Sequence, residues 1–470
     1  MNERPNGAVA MASDMQDISL LQRLARNGAA ASVLEVLVTG GFLLIAFRVV
    51  IAHSSLKQFG VWALIQSLTS VIKLADVGVA GALPKFIGQM SREDRERRIW
   101  PYIDTSIIFT FCFYALVASI AYYPLSLALR HSLEPGQQSL GHTMLPLVLV
   151  NAILWSLSTV PIAALVGIRK GTNKSIINMT GAALLLVTAI VLAPRLQLMG
   201  LVFAQMIQFI FVIIAAWASL SRHLRAGRFR LRLRFHRDVI RETIGLSLLT
   251  QANTAMAQLY DVVVRLVLTR VGGTASTAVY ELVERVFQPV RVLLIGPAFL
   301  SVPILARAFA RRQLRAIGHI YERQVALITA SALIVYAGVA LLAPVVSLVL
   351  LRRVDQQFLL FFFIDWVATF VYVLCIPGML FGPASGKLRY NIMGNVFQLA
   401  GSLVAGTVAG FLYGPLAALG GIACVNIASS LFQTRANTLA NGAPLLPSKR
   451  LVGRLMQRGG MKLLFRPIMS

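Results

Sequence analysis

Eleven ionisable side chains interrupt stretches that are otherwise apolar: Glu35, Arg48, Lys73, Asp76, Asp261, Arg265, Glu281, Glu284, Arg285, Arg291 and Asp365. At membrane depth each costs roughly 2.5 to 3.5 kcal/mol on insertion scales, so such groups face a bundle interior or a wet cavity rather than lipid. Their spacing is periodic. Ser247, Gln251, Thr254, Gln258, Asp261 and Arg265 recur every three or four residues, as do Gln66, Thr69, Lys73 and Asp76, and Glu281, Glu284, Gln288 and Arg291. That period places each set on one helical face. The cations Arg48, Lys73, Arg265 and Arg291 can hold an anionic ligand, the amides Gln251 and Gln258 can hydrogen-bond a polar headgroup, and the carboxylates Asp76, Asp261, Glu281 and Glu284 can carry a proton or a sodium ion. Local pairing is the competing role. Asp261 with Arg265 and Glu281 with Arg285 are four apart, Lys73 with Asp76 three apart, and such neighbours meet on a helix. Arg48 lies near a helix end, where it can snorkel. Arg291 has no acid three or four residues away, which singles it out as a contact for a ligand anion.

The elements that must position these groups follow from composition. Of 470 residues 57% are hydrophobic and 13% charged, against about a quarter charged in ordinary soluble domains. A soluble fold would expose large apolar patches, and a disordered chain needs far lower hydrophobicity, so both are excluded. At ~20 residues per crossing, apolar runs predict twelve spans near 30-52, 58-82, 102-124, 143-167, 175-193, 199-219, 243-268, 275-300, 323-349, 358-382, 392-412 and 415-434. The fold class is all-α, a polytopic membrane protein.

A net charge of +26 would suggest nucleic acid in a soluble domain, but its placement says otherwise. With both termini cytoplasmic, thirty-three lysines and arginines fall on cytoplasmic segments, and six (Lys57, Arg130, Arg195, Arg270, Arg352, Arg353) fall on external loops. Basic loops stay inside. The charge therefore faces an anionic inner leaflet, with no nucleic acid as partner. Residues 18-26 can form a short amphipathic helix on that leaflet. Cys112, Cys375 and Cys424 have no partner at metal or redox spacing, and the six histidines form no metal motif. No nucleophile motif or phosphate loop is present, so neither catalysis nor a cofactor is expected.

The two halves resemble each other at a separation near 217 residues: Arg48 with Arg265, Trp62 with Tyr280, Leu64 with Leu282, Lys73 with Arg291 and Pro161 with Pro377. An offset of six helices returns the chain to the same side, so the repeats are parallel. The expected organisation is a cytoplasmic segment 1-29, an N-lobe 30-220, a basic linker 221-242, a C-lobe 243-435 and a basic tail 436-470. These are two pseudo-symmetric six-helix lobes with a hydrated site between them. Pro161, Pro289 and Pro377 are candidate hinges, and Gly406, Gly410 and Gly414 a close-packing face.

The run from Phe59 to Gln89, FGVWALIQSLTSVIKLADVGVAGALPKFIGQ, resembles the second-helix signature of polysaccharide flippases in the multidrug/oligosaccharidyl-lipid/polysaccharide exporter superfamily. The likeness rests on Phe59-Gly60, the aromatic Trp62, and Leu74, Asp76 and Gly78 before a small-residue turn. The resemblance implies an O-antigen or exopolysaccharide flippase in a bacterial inner membrane, moving a polyprenyl-diphosphate-linked oligosaccharide by alternating access and working beside polysaccharide polymerase machinery. It also implies that a cavity cation holds the diphosphate, with Lys73 the residue carried over on the matched helix. A multidrug and toxin extrusion antiporter, which shares the layout, is the main alternative, and a polysaccharide-processing membrane enzyme the lesser one.

Overall fold

The computed structural model describes residues 31-70, 72, 83-84, 86-88, 90, 92-224, 235-299, 301-311 and 313-442; some helix side chains, including 92-98 and 241-254, lie outside that description. The described residues are helical throughout, without a strand. The helices are α1 (Ala31–His53), α2 (Leu56–Ser70), α3 (Arg92–Ser132), α4 (Pro135–Gly167), α5 (Gly171–Leu196), α6 (Leu198–His223), α7 (Arg237–Phe299), α8 (Val302–Ala310), α9 (Leu314–Leu351), α10 (Gln356–Met379), α11 (Phe381–Ser385), α12 (Arg389–Tyr413) and α13 (Pro415–Ala440).

Among the described residues ten stretches are long and apolar enough to cross a membrane, and the chain is a multi-pass membrane protein. Three expected spans differ in form. The seventh and eighth are the arms of α7, folded back on each other at Gly273 (φ 69°, ψ −179°), a backbone conformation that glycine adopts without a Cβ penalty. Helix α2, which carries the second, ends at Ser70. The expected surface helix at 18-26 lies outside the described residues.

The same partners pack in both halves. The fourth helix of each half, α4 or α10, lies against the third (α3 or α9) and the sixth (α6 or α13), and the fifth (α5 or α12) against the sixth. Small residues permit the tightest of these contacts, since lipid gives no hydrophobic drive for helix association and close van der Waals packing must supply it. Gly406 sits against Ile422 and Val267, and Gly410 against Val271 and Ala418. Gly414 does not join this face. It turns the chain between α12 and α13 at φ 89°.

Successive turns alternate between the two ends of the bundle. At one end, near Gly273, the halves are sealed together. The rings of Phe47, Phe59 and Trp62 pack with centroids 5.0 to 5.3 Å apart, and all three are fully buried. Gly60 lies so close to the Thr274 backbone carbonyl that no Cβ would fit between them. Gln137 donates to the Thr274 hydroxyl at 3.1 Å, and Arg270 donates to the His131 carbonyl at 2.8 Å. The opposite end, where α1 begins and α13 finishes, carries Glu35 bonded to Lys174 and Asn178 on α5.

Candidate functional site

A cavity of about 590 Å³ extends from the aromatic seal toward that terminal end. Its walls come from both halves: α1, α2, α4, α5 and α6 on one side, and the two arms of α7 on the other. On α7 it is lined by Gln258, Asp261 and Arg265 from the first arm and Glu281, Glu284, Arg285 and Gln288 from the second, largely the polar stripes visible in the sequence. Opposite them stand Gly40, Leu43, Phe47, Ala63, Gln66, Ser67 and Ser70. A constant separation of 218 residues carries each member of the second set, in order, to the corresponding member of the first. The same faces of equivalent helices therefore line the cavity twice.

This register corrects the expected match of Arg48 with Arg265. The counterpart of Arg265 is Phe47; Arg48 is exposed and lines no described cavity. One residue turns a side chain by about 100° around a helix, which is enough to move it from the cavity to the outside.

The hairpin at Gly273 sets the ionic geometry. Residues equally far from the turn meet across it: Thr269 with Thr277 at 2.7 Å, and Arg265 with Glu281, Nε and Nη2 reaching one carboxylate oxygen at 2.9 and 2.7 Å. The other Glu281 oxygen accepts from Arg285 Nε at 2.7 Å, the expected contact four residues apart. Glu281 is 1% exposed and Arg265 7%, so the carboxylate is the counter-charge of two guanidiniums in a dry setting. The local pair expected between Asp261 and Arg265 does not form. Arg265 Nη1 donates to the backbone carbonyl of Asp261 at 3.0 Å, and the Asp261 carboxylate is left facing the cavity. Glu281 is the better partner because it offers an oxygen aligned with two donors of the planar fork.

Arg291 is a second correction. It pairs with Glu284, Nη1 to Oε2 at 3.0 Å with a further contact through Nη2. Seven residues make almost two full turns, about 10 Å along the axis, and two long side chains on one face bridge that gap. Screening only spacings of three and four missed it. Arg285 forms the local pair with Glu281 that the spacing allows, yet it also lines the first cavity, lies 5.8 Å from the Phe47 ring, and among the described residues uses only Nε and, toward Gln288, Nη1 in hydrogen bonds. Most of its five donors stay available.

A second cavity, about 340 Å³, lies within the later half behind the same hairpin. Gln258, Asp261 and Glu284 border both cavities. The rest of its lining includes Tyr260, Tyr280, Arg291, Asp365, Thr369, Tyr372, Asn391, Asn395, Gln398, Asn426 and Gln433. Asn391, Asn395 and Gln398, and Asp365, Thr369 and Tyr372, recur at helical spacing in the sequence, but which of these stripes share a cavity depends on how their helices pack. Lys73 and Asp76 lie outside the described residues, as does the side chain of Gln251. Among the described residues no three acidic, histidine or cysteine side chains gather as a metal site.

No family model matches the chain, and no curated relative matches it. Solved structures do. A multidrug resistance MATE family transporter of the MOP superfamily in its inward-facing conformation superposes with a TM-score of 0.71 at 14% identity, covering 86% of this chain and 94% of that one. The lipid II flippase MurJ in an inward closed conformation gives 0.62 at 12% identity, with 87% of each chain covered. This chain has the fold of those transporters. An outward-facing MATE transporter structure gives 0.57 at 14% identity, over 88% of this chain and 95% of that one.

Proposed function

We propose that the protein is a flippase for a polyprenyl-diphosphate-linked oligosaccharide, held in an inner membrane with both termini cytoplasmic and serving surface polysaccharide synthesis. The supporting observation is the first cavity: a polar, two-walled chamber at membrane depth, sealed at the Gly273 end and extending toward the terminal end. Such a chamber admits a hydrophilic headgroup while the hydrocarbon tail stays in lipid. The two bodies, 30-220 and 243-435, rock about the basic linker 221-242, so that parting of the Gly60–Thr274 contact opens the other side.

Arg285 is the cation best placed to meet the diphosphate, because it meets Glu281 through Nε alone, whereas Arg265 and Arg291 each commit two guanidinium nitrogens to Glu281 or Glu284. Lys73 keeps the role that the family resemblance implies. Gln258, and Gln251 on the same stripe, serve the glycan. Asp261, whose carboxylate makes no hydrogen bond or ion pair among the described residues, is the first candidate for coupling to a proton or sodium gradient, ahead of Glu281 and Glu284, which are ion-paired.

One observation favours a second reading. Among the described residues the first cavity is lined by three carboxylates, Asp261, Glu281 and Glu284, against two guanidiniums, a balance that suits an organic cation and hence a multidrug antiporter. Proteoliposomes decide between them. The flippase reading expects a labelled polyprenyl-diphosphate oligosaccharide to become accessible to an impermeant reagent on the far side, with Arg285→Gln slowing this. Uptake of organic cations, with no movement of the lipid, would replace it by the antiporter.

A further inference from the structure

The second cavity is not needed to pass a headgroup between the halves, yet its lining has a composition of its own. Asp365, on α10, is 8% exposed, and its Oδ2 is buried without a hydrogen-bond partner. A carboxylate oxygen left unsatisfied in such a place is open to a donor from a ligand or from water, since an unpaired buried polar group is costly. Beside it in the same lining, the amide of Gln398 and the hydroxyl of Tyr372 make no hydrogen bond within the described protein. Other lining groups are fixed by the protein. Asn391 Nδ2 donates to the Met379 carbonyl at 2.9 Å and its Oδ1 accepts from Asn437 at 3.1 Å, while Gln433 Nε2 donates to Asn395 Oδ1 at 3.0 Å. These bonds stiffen the frame and leave a small convergent set of open groups.

We propose that this cavity is a pocket for one sugar ring of the transported glycan, in which Asp365 and Gln398 hydrogen-bond ring hydroxyls and Tyr372 borders the ring. The inference rests on the flippase reading and adds a subsite to it. A polyhydroxylated ring supplies donors to the carboxylate and both donors and acceptors to the amide, and amide-rich pockets with a few converging polar groups and aromatic walls suit such a ligand. Three carboxylates, Asp261, Glu284 and Asp365, line the cavity, but a metal cation fits less well, because the Arg291 guanidinium lines it too and already pairs with Glu284, and the acidic side chains among the described residues do not gather in a metal-holding group. The shared border at Gln258, Asp261 and Glu284 places the pocket beside the first cavity, so a glycan in the chamber can turn one residue into it.

The test uses the full-length protein in nanodiscs with a panel of free hexoses, N-acetylhexosamines and deoxyhexoses, read by saturation-transfer NMR, and with sodium chloride as the rival probe. At least one sugar is expected to bind, with affinity falling about tenfold or more in Asp365→Asn and in Gln398→Ala, and unchanged in Gln138→Ala at the far end of the bundle. No sugar binding, or binding that survives both pocket substitutions, overturns the proposal, as does a sodium effect that Asp365→Asn removes while sugars do nothing. A flipping measurement separates this outcome from failure of the flippase reading. If polyprenyl diphosphate with and without its glycan moves at equal rates, and Asp365→Asn alters neither, the pocket falls while the flippase stands. If sugar binds as expected but no lipid moves, the pocket stands and the flippase reading falls.

Discussion

The two walls of the first cavity share one geometry and differ in chemistry. Ala63, Gln66, Ser67 and Ser70 face Glu281, Glu284, Arg285 and Gln288 at equivalent positions, and Gly40, Leu43 and Phe47 face Gln258, Asp261 and Arg265. Among the described residues the first wall carries no charge, while the second carries Asp261, Arg265, Glu281, Glu284 and Arg285. The same helical faces look inward in both halves, with different chemistry on each. A charged wall needs internal partners to remain folded in a membrane, whereas the neutral wall can change residue by residue at little cost.

The sharpest way to break this contrast is Glu281→Ala. It leaves two guanidiniums without their carboxylate in a buried setting, and removal of one member of such a set costs about 3 to 5 kcal/mol. A large fall in thermal midpoint in detergent is expected, against a change of under about 1 kcal/mol for Gln66→Ala on the neutral wall. A small effect of Glu281→Ala would mean that the ionic wall is solvated. Next is Glu35→Gln, which weakens the ion pair of the early half, Lys174 to Glu35 at 2.9 Å. The half-exposed lysine keeps water, so a loss of roughly 1 to 3 kcal/mol is expected, measured in the same melt.

Arg285→Gln against Ser67→Ala probes the walls through transport rather than stability. The first is expected to slow lipid flipping about tenfold through loss of a charged hydrogen bond, the second by less than about twofold; equal effects would remove the functional asymmetry. The smallest effect on folding is expected for Asp261→Asn. Because its carboxylate makes no hydrogen bond or ion pair among the described residues, the amide should leave the melt unchanged or slightly raised, while transport loses its response to an imposed proton or sodium gradient. A lowered melt with gradient response intact would make Asp261 structural.

Much of the site was legible in sequence because period 3.6 is a local property. The stripes Gln258, Asp261, Arg265 and Glu281, Glu284, Gln288 needed only helical geometry and the rule that lipid rejects charge. The repeat was legible too, but matching like residues placed Arg48 opposite Arg265, one position from the true register. The fold preserves positions, and Phe47 occupies the position of Arg265 with different chemistry. Pairing was read where it is local, between Glu281 and Arg285, and missed where it spans the Gly273 hairpin or two turns of one helix.

Sequence alone determined that this chain is an all-helical, multi-pass membrane protein of two related halves with polar faces turned inward, since length, hydropathy and periodicity act through the solvent the chain must enter. Only the tertiary structure decided which cations are already neutralised, that a second amide-lined pocket lies behind the hairpin, and that the chamber is sealed at the Gly273 end. Those outcomes depend on contacts between helices far apart in sequence, whose distances no spacing rule contains.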